Sequence, residues 1–143
     1  MVYHLAIDIG ASSGRHILGS VQNGKLVLEE VYRFPNGMTA DADGTLCWDV
    51  EGLFASILAG LKKCAELGKV PATVGIDTWG VDFVLIDKAG RTVGKTVGYR
   101  DSRTDGAYDV IDRLIPPAEL YQETGLARQP FNTICQLVAV KRQ

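Results

Sequence analysis

"YHLAIDIGASSGRHILGSVQNGKLVLEEVYRF", residues 3–34, holds three apolar runs separated by two turn signals. Tyr3–Ile9 is compact and apolar and ends at Gly10, which predicts a strand. Arg15–Val21 predicts a second. The Asn23-Gly24 pair that follows it is the strongest short hairpin signal a sequence can carry. Lys25–Phe34 continues as a third strand, with Leu26, Leu28 and Glu30 alternating against Val27, Glu29 and Val31. Three antiparallel strands in a meander are therefore expected at the start of the chain.

The remaining segments add helices and further strands. "PNGMTADADG" (35–44) reads as a polar, turn-rich loop. Asp49 is placed as an N-cap, and Leu53, Phe54, Ile57, Leu58, Leu61, Cys64 and Leu67 recur at helical spacing behind it. Gly68 is the expected stop, with Pro71 just beyond. "ATVGIDTWG" (72–80) predicts a buried fourth strand, and "VDFVLIDKAG" (81–90) a fifth. "VGYRDSRT" (97–104) is a short strand or turn leading to a helix over Asp105–Leu114 that Pro116-Pro117 ends. "PAELYQETG" (117–125) is a short helix capped by Gly125. Ile134, Leu137, Val138 and Val140 mark a last helix with no stop signal before Gln143, so the chain is expected to stop inside an element.

The bulk composition narrows the class. The chain has 143 residues, 46% hydrophobic and 22% charged, with a formal charge of −2, as expected of a soluble globular domain. Lys and Arg are scattered, so no nucleic-acid surface is expected. No apolar run approaches a membrane span, and the first residues lack the charged-then-apolar plan of a signal peptide, so none is expected. The three cysteines, Cys47, Cys64 and Cys135, are widely spaced and form no CxxC, so no zinc site is proposed. Reduced thiols in a cytoplasmic compartment are the expectation.

Three segments carry candidate chemistry. In "DIGASSGR" (8–15), Gly10 and Gly14 permit close backbone approach to a ligand, and successive N–H groups at such a tip form an anion-binding nest. Ser12 and Ser13 add hydroxyl donors, Arg15 a charged fork, and Asp8 a ligand for Mg²⁺. It is not a Walker A loop, because a strand follows it rather than a helix. An ordinary Gly/Ser turn between strands is the competing reading. In "GIDTWGVDF" (75–83), Asp77 interrupts an apolar strand, and Trp79 beside Gly80 suits the floor of a sugar site; a hairpin with a packed Trp competes. "YRDSRT" (99–104) is either a polar cluster on a cleft wall or a helix start capped by Asp101 or Ser102.

Taken together, "AIDIGASSGR", "CWDV", "GIDTWGVDFVLID", "YRDSRT" and "QPFNT", in this order and spacing, resemble the amino-terminal lobe of the FGGY family of carbohydrate kinases. The resemblance spans essentially the whole chain and is strongest to the branch that phosphorylates L-rhamnulose or a similar ketose. It implies an α/β, ribonuclease H-like (actin-like ATPase) lobe, with a mixed sheet that begins with three antiparallel strands and is flanked by helices. It implies ATP and Mg²⁺ as cofactors and transfer of phosphate to the 1-hydroxyl of the sugar. The family's phosphate-contacting turn falls on Ala11, Ser12, Ser13, Gly14 and Arg15, and its Mg²⁺-associated acid on Asp8. Its sugar contact falls on Gly80, with Trp79, Asp77 and Phe131 as further carry-overs. Many members carry Thr-Thr or Thr-Ser where this chain has Ala11-Ser12, so Ala11 offers only its backbone.

The family's catalytic base is an Asp that lies beyond residue 143, as do its adenosine-binding segments and its second lobe. No catalytic residue is therefore assigned in residues 1–143, and Asp77, Asp82 and Asp101 are not promoted to that role. The isolated chain is expected to be inactive as a kinase. Alternatives are a kinase for another ketose or polyol, a non-catalytic ligand-binding lobe, and an actin-like ATPase or chaperone lobe. "GIDTWGVDF" and "YRDSRT" argue against the last of these.

Overall fold

A computed structural model describes residues 1–142. In chain order its elements are β1 (His4–Ile9), β2 (Ser13–Gln22), β3 (Lys25–Pro35), β4 (Met38–Ala40), β5 (Leu46–Trp48), α1 (Val50–Glu66), β6 (Thr73–Thr78), a 3₁₀ turn at Ser102–Thr104, α2 (Ala107–Leu114), α3 (Pro117–Thr124) and α4 (Thr133–Arg142). The chain divides into two compact units, one of Met1–Thr39 with Trp48–Gly80, the other of Ala40–Cys47 with the chain from Val81 onward.

The first unit is built on a four-stranded sheet of order β3-β2-β1-β6. The expected meander is present: β1 pairs antiparallel with β2, and β2 with β3. Asn23 (φ 51°) and Gly24 (φ 76°) both occupy the left-handed region, the condition for a type I′ hairpin. β6 pairs with β1 in parallel, which makes the sheet mixed. One extra residue in β3 opposite His16–Ile17 forms a bulge.

Strand alternation decides the core. Leu5, Ile7 and Ile9 of β1 and Leu18 of β2 are at most 5% exposed and face α1, with Phe34 and Cys64 completing the cluster. Burial of each such aliphatic side chain contributes about 1.5–3 kcal/mol. α1 starts where Asp49 accepts a hydrogen bond from the Gly52 N–H (2.8 Å), and Gly68 (φ 68°) follows its end as expected. Leu53, Ile57 and Leu61 pack on the sheet, but Phe54, Leu58 and Leu67, expected on the same face, are exposed. The buried stripe is narrow because Gly60 brings the helix backbone against the fully buried His16 ring. A Cβ at residue 60 would lie 2.2 Å from His16 Nε2. His16 Nε2 donates to Ile57 O (3.2 Å), which fixes the tautomer with the proton on Nε2, and its ring lies edge-on to Tyr32 and Phe34.

The second unit has its own cluster, with Ala107, Ile111 and Cys135 buried between α2 and α4 and Tyr108, Leu120, Ile134 and Val138 packed around them. Pro117 opens α3, and Gly125 (φ 65°) caps it as expected. Arg142 closes α4 by donating to the Gly106 carbonyl (3.0 Å). Lys95 lies 2.9 and 2.6 Å from Asp41 and Asp43 and holds both carboxyls below their ordinary range.

Four further expectations are corrected. The segment 35–44 is not all loop: Met38–Ala40 forms β4 and pairs with β5. The expected strand over 81–90 shrinks to a tight hairpin with one bridge, Ile86 to Thr92, because the Asp87 carboxylate accepts from the N–H groups of Ala89 and Arg91 and turns the chain early. β6 is exposed along its whole length rather than buried, so Asp77 reaches solvent and carries no desolvation cost there. The helix expected from Asp105 starts at Ala107, preceded by the separate 3₁₀ turn. Among the described residues, no helix is long and apolar enough to cross a membrane.

Two measurements check this packing. Gly60→Ala drives a methyl into the His16 ring and lowers stability by about 1–3 kcal/mol, whereas Gly75→Ala, with nothing within 4 Å of the added Cβ, leaves the thermal midpoint nearly unchanged. Burial holds the His16 pKa below its ordinary 6.5. The unfolded chain therefore binds the extra proton first, and the stability contributed by neutral His16 is present above pH 6.5 and lost as pH falls through it. Thermal melts of wild type and His16→Gln between pH 7.5 and 5 should show the steeper loss in wild type; parallel curves would remove His16 as the cause.

Candidate functional site

The candidate phosphate turn sits at the tip of the β1–β2 hairpin. Gly10, Ala11 and Ser12 form the turn, while Ser13, Gly14 and Arg15 begin β2. The Gly10 N–H donates to Ser13 O (3.0 Å) and closes it. Ser12 is exposed, and Ala11 and Ser13 are half-buried.

Asn36 clamps this tip from the end of β3. Its side-chain Nδ2 donates to Gly10 O (2.9 Å), and its backbone N–H donates to Ser12 O (3.1 Å). Its Oδ1 accepts from the Gly37 N–H (2.9 Å), which fixes the side chain in an Asx turn. Sequence reasoning missed Asn36. Its only signal was membership of the turn-rich segment after Phe34, with nothing to link it to a turn some 25 residues earlier.

Sheet register aligns the charged residues. Asp8 of β1 faces Arg15 across the antiparallel pair and Asp77 across the parallel one. Arg15 Nε is 3.1 Å from Asp8 Oδ2, an ion pair without an aligned hydrogen bond at that nitrogen. Arg33 stands beside Arg15 in the β2–β3 register and grips Glu30 with two hydrogen bonds, which holds the Glu30 carboxyl below its ordinary range. Asp77 Oδ1 accepts from the Thr78 N–H (2.9 Å).

The glycines separate by role. A Cβ at Gly14 would sit 2.0 Å from the Phe34 ring, so this glycine is required by packing, not by close approach of a ligand. At Gly80 a Cβ would meet nothing within 4 Å, and no packing among the described residues demands a glycine there. The Trp79 N–H donates to Ile9 O (3.2 Å), which extends the β1–β6 ladder by one bond and brings Trp79 and Gly80 alongside the tip. The Trp79 ring packs against buried Trp48 at 4.3 Å, so the packed-Trp reading accounts for one of its faces.

Phe131 belongs to the second unit. It meets Tyr99 edge-on (5.8 Å between centroids) and, with Tyr99, Arg100, Asp101, Ser102 and Thr104, lines an open cavity of about 560 Å³. Asp101 fixes one wall by capping the 3₁₀ turn at the Arg103 N–H (2.8 Å) and accepting from the Leu46 N–H (2.9 Å), as one reading of "YRDSRT" expects. Cys64 and Cys135 are buried, Cys47 is half-buried, and burial pushes all three thiols up.

Asp8 and Asp77 stand side by side in register, two carboxylates of the kind a magnesium ion takes together with water and phosphate oxygens. Among the described residues, no group of three metal-ligating side chains competes as an all-protein metal cage.

With this arrangement in view, comparison with known proteins is decisive on the family. The N-terminal domain of the FGGY family of carbohydrate kinases matches residues 3–143. The chain belongs to the FGGY family of carbohydrate kinases. It is 50% identical to a rhamnulokinase of Halalkalibacterium halodurans and 46% identical to one of Bacillus subtilis, in both cases over all 143 residues. It spans 30% and 29% of the length of those relatives. The fold matches a ligand-bound xylulose kinase from Lactobacillus acidophilus (TM-score 0.81, 15% identity) and a Plasmodium falciparum glycerol kinase with ADP (TM-score 0.77, 10% identity). Each match covers 100% of this chain and 29% of the other. The expected actin-like α/β architecture is that of these FGGY kinases.

For this FGGY chain, Asn36→Ala removes the side-chain half of the clamp and should cost about 1 kcal/mol. Amide hydrogen exchange at Ser12 and Ser13 should rise selectively while the β1 amides stay protected; a uniform rise would show general loosening instead.

Proposed function

We propose that this chain is the amino-terminal part of an ATP-dependent kinase that phosphorylates L-rhamnulose at its 1-hydroxyl. The reading rests chiefly on the similarity to rhamnulokinases along the whole of residues 1–143. The clamped hairpin tip is its physical counterpart, because phosphoryl transfer is carried by positioning and charge neutralisation.

In the first unit, the Ser12 and Ser13 hydroxyls donate to phosphate oxygens. The backbone at Ala11 and Gly14 lines the phosphate, and Arg15 turns a guanidinium toward its charge. Arg15 is held in reserve against Asp8 until phosphate arrives. Asp8, directly or through water, and Asp77 beside it in register are the groups that would hold Mg²⁺. The ion's contribution is to offset charge on the transferring group. The sugar contacts proposed in this unit are Gly80, whose open surroundings leave room for a ring, with Trp79 and Asp77. In the second unit Phe131 is assigned the same role, from the cavity it lines with Tyr99.

The proton acceptor for the sugar hydroxyl and the adenosine site are assigned to sequence beyond residue 143, so the 143-residue chain alone turns over no ATP. The three unpaired cysteines suit a cytoplasmic location.

The test is a coupled ADP-release assay of the full-length kinase on a panel of L-rhamnulose, xylulose and glycerol. Preference for rhamnulose is expected, and equal rates on xylulose would overturn the substrate assignment. In the same protein, Asp8→Asn should lower kcat by roughly 10²-fold, with Mg²⁺ titration shifted to higher concentration.

A further inference from the structure

Val81 stands at φ 70°. The other non-glycine residue with positive φ among the described residues is Asn23, at home in its hairpin turn. A β-branched residue in this region is an outlier that persists only when its surroundings hold it there.

The holding groups are both on α4, one turn apart. Thr133 Oγ1 donates to the Val81 carbonyl (2.8 Å), and Gln136 Nε2 donates to the same oxygen (3.1 Å). Gln136 is fully buried and does more than this. Its Nε2 also lies 3.1 Å from Asp82 Oδ1 and 3.2 Å from Phe131 O, and its Oε1 accepts from Arg103 Nη2 (3.0 Å). One amide thus ties together the Val81–Asp82 peptide, the backbone at Phe131 and the arginine of "YRDSRT". A buried glutamine needs partners for two N–H donors and one carbonyl acceptor, but these can come from anywhere in the fold. Here the three acceptors around Nε2 all belong to segments carrying or adjoining a proposed sugar contact, since Val81 directly follows Gly80 in the chain and the third is the Phe131 carbonyl.

We propose that Gln136, assisted by Thr133, is a positioning residue for two proposed sugar contacts: it holds Val81 in the left-handed conformation, which orients the Gly80 that precedes it in the chain, and it fixes the Phe131 backbone. The proposal rests on the reading of Gly80 and Phe131 as sugar contacts. Gln136 touches no reacting atom. Its effect passes through the direction of the Gly80–Val81 peptide, which the φ of Val81 sets.

The experiment is a double-mutant cycle in the full-length kinase, with sugar KM, ATP KM, kcat and thermal midpoint read for each variant. Gln136→Leu keeps the volume and removes the hydrogen bonds. It should raise the sugar KM about tenfold and leave the ATP KM within about twofold. Glycine takes φ 70° without strain, so the sugar-KM penalty of Gln136→Leu should shrink when it is made on Val81→Gly. Thr133→Ala, at an exposed position, keeps the test open if Gln136→Leu fails to fold; it should raise the sugar KM roughly fivefold, the equivalent of one hydrogen bond. An unchanged sugar KM in the folded variants overturns the proposal, as does a penalty of equal size on the glycine background. If wild type prefers another sugar, the rhamnulose assignment fails while the same cycle on that sugar still decides the role of Gln136. A wild type inactive on every sugar overturns both.

Discussion

Everything at the hairpin tip depends on the pairing register of β1. This one strand is held on both sides, antiparallel to β2 and parallel to β6, and the two ladders fix Asp8 in a row with Arg15 and Asp77. A slip of one residue on either side would exchange the two faces of β1 and send Leu5, Ile7 and Ile9 out of the core. The hydrophobic contacts under α1 therefore keep the charged row in place without touching it. Asn36 adds the last constraint, giving the Gly10 and Ser12 carbonyls of the Gly-Ala-Ser turn their partners.

Much of this architecture was legible in residues 3–34, because the signals there are local: alternation with a period of two, an Asn-Gly turn, and a glycine at each strand end. Asp49, Gly68 and Gly125 were readable for the same reason, each acting on its own helix end. What escaped depends on partners far away in sequence. β4 and β5 are three residues each, too short to show periodicity, and exist because they find one another. The "VLI" of residues 84–86 has the composition of a strand, but Asp87 turns it after one bridge. β6 is apolar enough to look buried, yet at the sheet edge it is exposed.

The candidate site divides in the same way. Ser12, Ser13 and Arg15 could be named as candidates from residue type, but an ordinary Gly/Ser turn accounted for them equally, and it was the family resemblance that favoured phosphate. Trp79 and Gly14 show the limit of that method. Trp79 turns one face to Trp48, and Gly14 makes room for Phe34, so part of what looked like ligand chemistry is packing. The strain at Val81 could not be read at all, because nothing about a valine between Gly80 and Asp82 announces a positive φ. It becomes visible only with the α4 side chains that hold it.

The same glycines carry a consequence for how this sequence can drift over evolutionary time. Gly60 and His16 occupy one volume, as do Gly14 and Phe34. Neither member of a pair can be enlarged alone, so each pair should behave as one heritable unit, with a larger residue at 60 tolerated only in lineages that have already shortened residue 16. Gly80 has no such partner. If the proposed sugar contact at Gly80 holds, this residue should change with substrate and not with the core.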